Sequence, residues 1–202
     1  MRFTLVIHND NMDVWGDFLH YRSRNQALRG LFSLIRVLTV VVAVSLFVSF
    51  FVIANAVVAS GSMESTIMTG ERIICNRLAY RLGGSPQRFD IVLFEYPHNG
   101  EPVAYVKRII GLPGETVEIV GGKVYVNSSP TPLDDSFVRE PPNGSFGPYE
   151  IPQGHYFVLG DNRNNSYDSK SWDEPFVCAD TFLGRAMFSY YPEFKLHGYP
   201  GE

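Results

Sequence analysis

The sequence predicts a mainly β domain tied to one N-terminal transmembrane helix. Three observations carry that prediction. Residues 37–59 hold no charged side chain and are rich in Val, Phe, Leu and Ile. From Arg72 onward, short runs of Val, Ile, Phe and Tyr alternate with clusters of Gly, Pro and Asn, the pattern of strands and turns. Gly121-Gly122 stands between Val120 and Lys123, a hairpin signal because both glycines accept positive φ. A chain of 202 residues with 45% hydrophobic content fits one globular domain plus a membrane segment. A net charge of -4 and a pI near 5.7 argue against a nucleic-acid-binding surface.

The elements follow in chain order. Residues 1–36 read as a cytoplasmic tail that ends in a basic, helical juxtamembrane stretch, 21–36. Residues 37–59 form the anchor, about the length needed to cross hydrocarbon as a helix. Arg22, Arg24, Arg29 and Arg36 precede it, and no acidic residue lies between Asp17 and Glu64. The positive-inside rule then puts the N-terminus in the cytoplasm and residues 60–202 outside the cell membrane. A cleaved signal peptide is the competing reading, since Ala54-Asn55-Ala56 has the small-x-small form of a processing site. The long region before it and the long apolar run favour a retained anchor.

Strands are expected at 72–78, 89–95, 103–110, 116–120, 123–127, 156–159 and 183–190. Residues 128–152 hold six prolines and little periodicity, so they read as an irregular excursion with room for one short strand.

Three stretches carry chemistry. In Ser60-Gly61-Ser62-Met63, Gly61 suits a tight turn that exposes the Ser62 hydroxyl. The Ser62 N–H and the Ser60 hydroxyl are candidate donors to a developing oxyanion. Alone, Ser-Gly-Ser is a common linker sequence. In Tyr105-Val106-Lys107-Arg108-Ile109-Ile110, alternation puts Tyr105, Lys107 and Ile109 on one face. Burial there would lower the Lys107 pKa and let its neutral amine take a proton from Ser62. The competing reading is a surface lysine whose stem alone is covered. Residues 160–170 are dense in Gly, Asp, Asn and Ser. They read either as a solvated loop or as a polar support for a catalytic amine, with Asp168 facing Lys170 and Asp161 facing Arg108. No histidine pair has metal spacing, and His155 is the candidate base of a rival Ser-His arrangement. Cys75 and Cys178 fit no metal spacing and no disulfide framework; both suit small buried side chains, and their pairing is left open.

Together these residues resemble the type I (leader) signal peptidases, membrane serine/lysine proteases that remove signal peptides from exported preproteins. The blocks are Ser-Gly-Ser-Met-Glu-Ser-Thr at 60–66, Tyr-Val-Lys-Arg-Ile-Ile-Gly-Leu-Pro-Gly at 105–114 and Gly-Asp-Asn-Arg-Asn-Asn-Ser-Tyr-Asp-Ser-Lys at 160–170. The resemblance implies antiparallel β-sheets around a protease core shared with self-cleaving repressors. It implies Ser62 as nucleophile, Lys107 as general base and Ser60 with Ser62 N–H as the oxyanion hole. Ser166 would orient Lys107, Asp168 would support the loop, and Met63, Ile67, Tyr105 and Val106 would line pockets for small side chains. The implied partners are secretory preproteins and the lipid bilayer, with no metal or organic cofactor. Lysine rather than histidine at 107 is similar to the bacterial kind, and the compact chain resembles enzymes of many Gram-positive bacteria.

Three positions depart from the family pattern. Ser65 stands where proline is usual, Asn164 where aspartate is frequent, and Lys170 where arginine is usual. Lysine lacks the planar fork with which arginine grips a carboxylate. A non-enzymatic β domain that only binds partners is the remaining alternative. The complete set of Ser62, Lys107, Ser166 and Asp168 argues against it.

Overall fold

The computed structural model describes residues 13–198, with the side chains of residues 26 and 28–198. Residues 1–12 of the expected tail, His8 among them, and residues 199–202 of the expected β domain lie outside the described part. The chain divides after Val48 into two units. The first holds helix α1 (Asp13–Phe47), and a wider turn over Val48–Val52 continues the helical backbone into the start of the second. Its apolar window is Leu28–Val52, 25 residues with a mean hydropathy of 2.5. At about 1.5 Å per residue this is long enough to cross a bilayer core of about 30 Å.

The helix stops short of the expected 37–59 boundary. Residues Ile53–Val57 instead form strand β1, paired antiparallel with β2 (Arg72–Asn76) from Ile53↔Asn76 to Val57↔Arg72. Apolar length alone does not separate these states, because an apolar run continues across the change from helical to paired backbone. Ala54 points into the core, while the Asn55 amide donates to the Tyr190 hydroxyl at 2.9 Å. The small-x-small triplet Ala54-Asn55-Ala56 therefore lies within a paired strand.

The second unit adds β3 (Ile91–His98), β4 (Glu101–Gly111), β5 (Thr116–Val120), β6 (Lys123–Val126), β7 (Phe146–Glu150) and β8 (His155–Leu159). Strands β9 (Val177–Cys178), β10 (Phe182–Tyr191) and β11 (Lys195–Leu196) complete it. The larger sheet runs β1-β2-β10-β3-β4-β8-β9, with β11 added on β10. The smaller runs β6-β5-β7, and every pairing is antiparallel. All seven expected strands are present, with ends shifted by a few residues. Gly121 and Gly122 turn the β5–β6 hairpin at φ of +56° and +76°. The unexpected strands are β1 and two of only two residues each; β7 fills the room left for one short strand in 128–152, although its Phe-Gly-Pro-Tyr-Glu sequence breaks the usual strand composition.

Three apolar clusters fill this unit. One buries Met63, Ile67, Ile73, Cys75 and Ile91 beneath the Ser62 turn. A second gathers Phe94, Ile109, Val158 and Trp172, and a third packs Ile110, Val117, Ile119 and Phe157 between the sheets. Each such side chain contributes roughly 1.5–3 kcal/mol by leaving water. Strand β4 pairs with β3 from Glu101 to Arg108, but β8 joins its other side only from Arg108 onward. Its edge over Glu101–Lys107 is left open among the described residues. Lys107 is the last residue of that open edge.

Candidate active site

The Ser62 turn is anchored from below. Ser60 has extended backbone, and Gly61–Met63 form a single tight turn closed by Glu64 N–H donating to Gly61 O at 3.1 Å. Ile67 N–H donates to Met63 O at 2.8 Å, and both side chains are fully buried. Ser62 is left 7% exposed, with its Oγ 3.3 Å from Ser60 Oγ. Ser65 lies at φ +87°, in the left-handed region that proline cannot enter.

The 160–170 loop closes on this turn from the other side. Asn162 N–H donates to Ser62 O at 3.0 Å, and the Asn162 amide donates to Gly61 O at 3.0 Å. Gly160 makes that approach possible. A Cβ there would sit 2.2 Å from Ser166 Oγ and 2.4 Å from Ser62 O. Asp168 is fully buried; it accepts from Gly160 N–H at 2.9 Å and from Lys170 Nζ at 3.0 and 3.2 Å. One ammonium thus spans both carboxylate oxygens, and it also donates to Ser166 O at 3.1 Å. Asp161 holds Arg108 through both of its oxygens, at 2.9 and 2.6 Å, with both side chains buried. Asn164 pins the loop to the proline-rich excursion: its amide donates to Pro141 O and its carbonyl accepts from Asn143 N–H.

Lys107 lies on β4 opposite Val92 and is 1% exposed. Its Nζ is 5.7 Å from the centre of the Tyr105 ring. Burial lowers its pKa from 10.5 to about 8; Lys170 pushes the same way, while Asp168 and Asp161 oppose. Ser166 Oγ is buried with no hydrogen-bond partner. Among the described residues no hydrogen bond joins Lys107 to Ser62 or to Ser166.

Ser60, Ser62 and Met63 share a cavity of about 220 Å³ with Leu93, Tyr105 and Val106. Its walls are mostly apolar, and Ala56 to Ala59 supply the side that precedes the serine. Ile67 lies in the core beneath the turn and is absent from that lining. The Ala56–Ala59 wall is hidden in the sequence, because its apolar character is continuous with the expected 37–59 anchor. So is Asn162, whose contacts to Gly61 and Ser62 span about a hundred positions of chain. His155 opens β8 opposite Cys178, with Nδ1 3.1 Å from Gln153 O, and makes no contact with Ser62. Cys75 is buried, Cys178 is half-buried, and both are free thiols.

A family model described as signal peptidase, peptidase S26, matches residues 31–191. A probable signal peptidase I-2 of Synechocystis sp. is 42% identical over 147 residues, 70% of this chain and 65% of that protein. A signal peptidase I of Leptolyngbya laminosa is 36% identical over 163 residues, 77% of each chain. These matches span about two thirds and three quarters of the relatives' lengths. The crystal structure of a signal peptidase I from Enterococcus faecalis is 38% identical, covering 50% of this chain and 96% of that one, with a TM-score of 0.40. At that score the fold rests on the strand pairing given above.

Proposed function

We propose an acyl-transfer mechanism at Ser62 and Lys107 from one premise: this chain belongs to the signal peptidase family, peptidase S26. Members of the family are serine endopeptidases that cleave signal peptides, and this chain carries a helix long and apolar enough to anchor it in a membrane. The observation that carries the residue-level reading is the burial of Lys107 at the end of the open β4 edge, beside the cavity that holds Ser62.

The substrate is an extended preprotein segment lying along β4 before Lys107, its backbone meeting the free edge. The small apolar cavity takes short side chains before the cut. Neutral Lys107 takes the Ser62 Oγ proton as Oγ attacks the scissile carbonyl carbon. The carbonyl π electrons move to oxygen, where Ser62 N–H and Ser60 Oγ–H meet the negative charge. Collapse breaks the C–N bond, and the Lys107 ammonium gives its proton to the departing amine. Water then attacks the ester, passing a proton to Lys107, and the signal peptide leaves with a new carboxylate as Ser62 regains its proton. The hydrogen bond from Ser62 to Lys107 forms when substrate fills the cavity, as catalytic bonds left long in a free enzyme shorten in the complex. Ser166 Oγ, buried without a partner, is the acceptor that steadies the Lys107 amine.

Arg22 and Arg24 before α1's apolar window, with Arg29 and Arg36 in its N-terminal half, favour a cytoplasmic N-terminus and a catalytic unit on the far side of the cell membrane. Ser62→Ala and Lys107→Ala should each abolish cleavage of a labelled preprotein while near-UV circular dichroism stays native. Cleavage retained by either variant rules out the pair.

A further inference from the structure

The segment after β10 lies beyond the 31–191 stretch that the family model matches, yet it is tied to both flanks of the Ser62 turn. Downstream, Lys195 Nζ on β11 donates to Thr66 O, four residues past Ser62. Upstream, Glu71 O accepts from Val58 N–H at 2.9 Å, and Gly70 N–H donates to Val58 O at 2.8 Å. Val58 is four residues before Ser62. The Glu71 side chain is in turn bonded by Ser189 Oγ in a short hydrogen bond, and Ser189 Oγ lies 2.8 Å from His197 Nε2. His197 N–H continues the β10–β11 pairing by donating to Met187 O at 2.8 Å.

The donors in this chain of bonds are fixed by valence. Ionised Glu71 only accepts, so the Ser189 proton points at it. Ser189 Oγ then has only lone pairs for His197, and Nε2 must carry the hydrogen. Nδ1 is left bare, buried and without a partner. A second proton has to enter at Nδ1, where no acceptor waits. The charged groups that act on the ring are Lys195 from β11 just before it, Glu71 from the turn before β2, and the Arg108–Asp161 pair from β4 and the loop after β8. Burial and then Lys195 hold the His197 pKa below its ordinary 6.5; Glu71 opposes them, Arg108 adds to them, and Asp161 opposes.

We propose that Lys195 and His197 are positioning residues for Ser62, and that protonating His197 loosens their hold on the nucleophile turn. The proposal rests on Ser62 being the nucleophile. Both residues act through Thr66 and through Ser189–Glu71–Val58, and neither touches substrate.

The test uses the full chain in detergent, with a labelled preprotein. Lys195→Met and His197→Ala each lower kcat about tenfold while KM stays within about twofold, since a misplaced nucleophile slows chemistry rather than binding. His197→Gln restores kcat, because its amide nitrogen can donate to Ser189 Oγ where Nε2 did. In the wild type, log kcat/KM falls with a slope of one as Lys107 gains its proton and steepens below the His197 pKa; in His197→Gln the steepening is gone. Unchanged kcat in Lys195→Met, or the same steepening in His197→Gln, overturns the proposal. Amide hydrogen exchange across Val58–Ile67 supplies a readout that needs no cleavage. Faster exchange in Lys195→Met and His197→Ala supports the clamp, and unchanged exchange defeats it. If exchange accelerates while the wild type itself cleaves nothing, the Ser62/Lys107 reading has failed and the positioning role falls with it, leaving only a structural tie between β11 and the turn.

Discussion

At the scale of one residue, Lys107 as the proposed base would set both the pH dependence and a cost. A base with a pKa of about 8 is mostly protonated at neutral pH. kcat/KM for preprotein cleavage should therefore rise about tenfold per pH unit up to about 8 and level off above it, measured by initial rates. The stability consequence runs the same way. Below pH 8 both folded and unfolded chains carry the lysine charged, and the folded state bears the full burial penalty. Between about 8 and 10.5 the folded chain has lost the proton that the unfolded chain still holds, so stability rises with pH. Replacing Lys107 with Met should stabilise the protein by about 3 kcal/mol at pH 7, at about 1.4 kcal/mol for each tenfold change in proton affinity, and by much less near pH 10.5. Denaturant melts of both proteins at the two pH values check this. Equal stabilisation at both values would place the cost elsewhere than in the charge.

At the scale of elements, the site exists because two loops close over one strand end. Gly160→Ala should lower kcat by about a hundredfold and destabilise by about 1–3 kcal/mol, because the added methyl meets the Ser62 main-chain oxygen, which has no rotamer to escape into. Activity assays beside thermal melts separate the two effects. Much of this arrangement was legible in the sequence. Alternation in Tyr105-Val106-Lys107-Arg108-Ile109-Ile110 already put the lysine among apolar neighbours, and Asp161–Arg108 and Asp168–Lys170 are paired as charge complementarity suggested. What stayed illegible depends on contacts between distant stretches. The change from helix to strand at Ile53 is decided by pairing with Arg72–Asn76, which hydropathy does not register. The tie from β11 to Thr66 joins residues more than a hundred positions apart, and neither Lys195 nor His197 sits in a recognisable motif. Ile67 carries the apolar character of a pocket residue, but the turn points it into the core.

At the scale of the whole molecule, anchor and β unit divide the work. The β unit has its own three cores, so a chain beginning at Ser49 should cleave a short soluble peptide with kcat close to that of the full chain. Its rate on a preprotein held in vesicles should fall roughly 100-fold at low enzyme concentration, because a shared bilayer no longer confines enzyme and substrate together. A loss limited to the vesicle assay identifies the anchor as a concentrating device; equal losses in both assays make it part of the fold. The pairing of β1 bears on the enzyme's survival. Ala54-Asn55-Ala56 offers the short side chains that the cavity beside Ser62 is proposed to take. Under the proposed function a second copy would have to peel this strand from β2 before cutting it, so the β1–β2 pairing would shield the chain from its own kind.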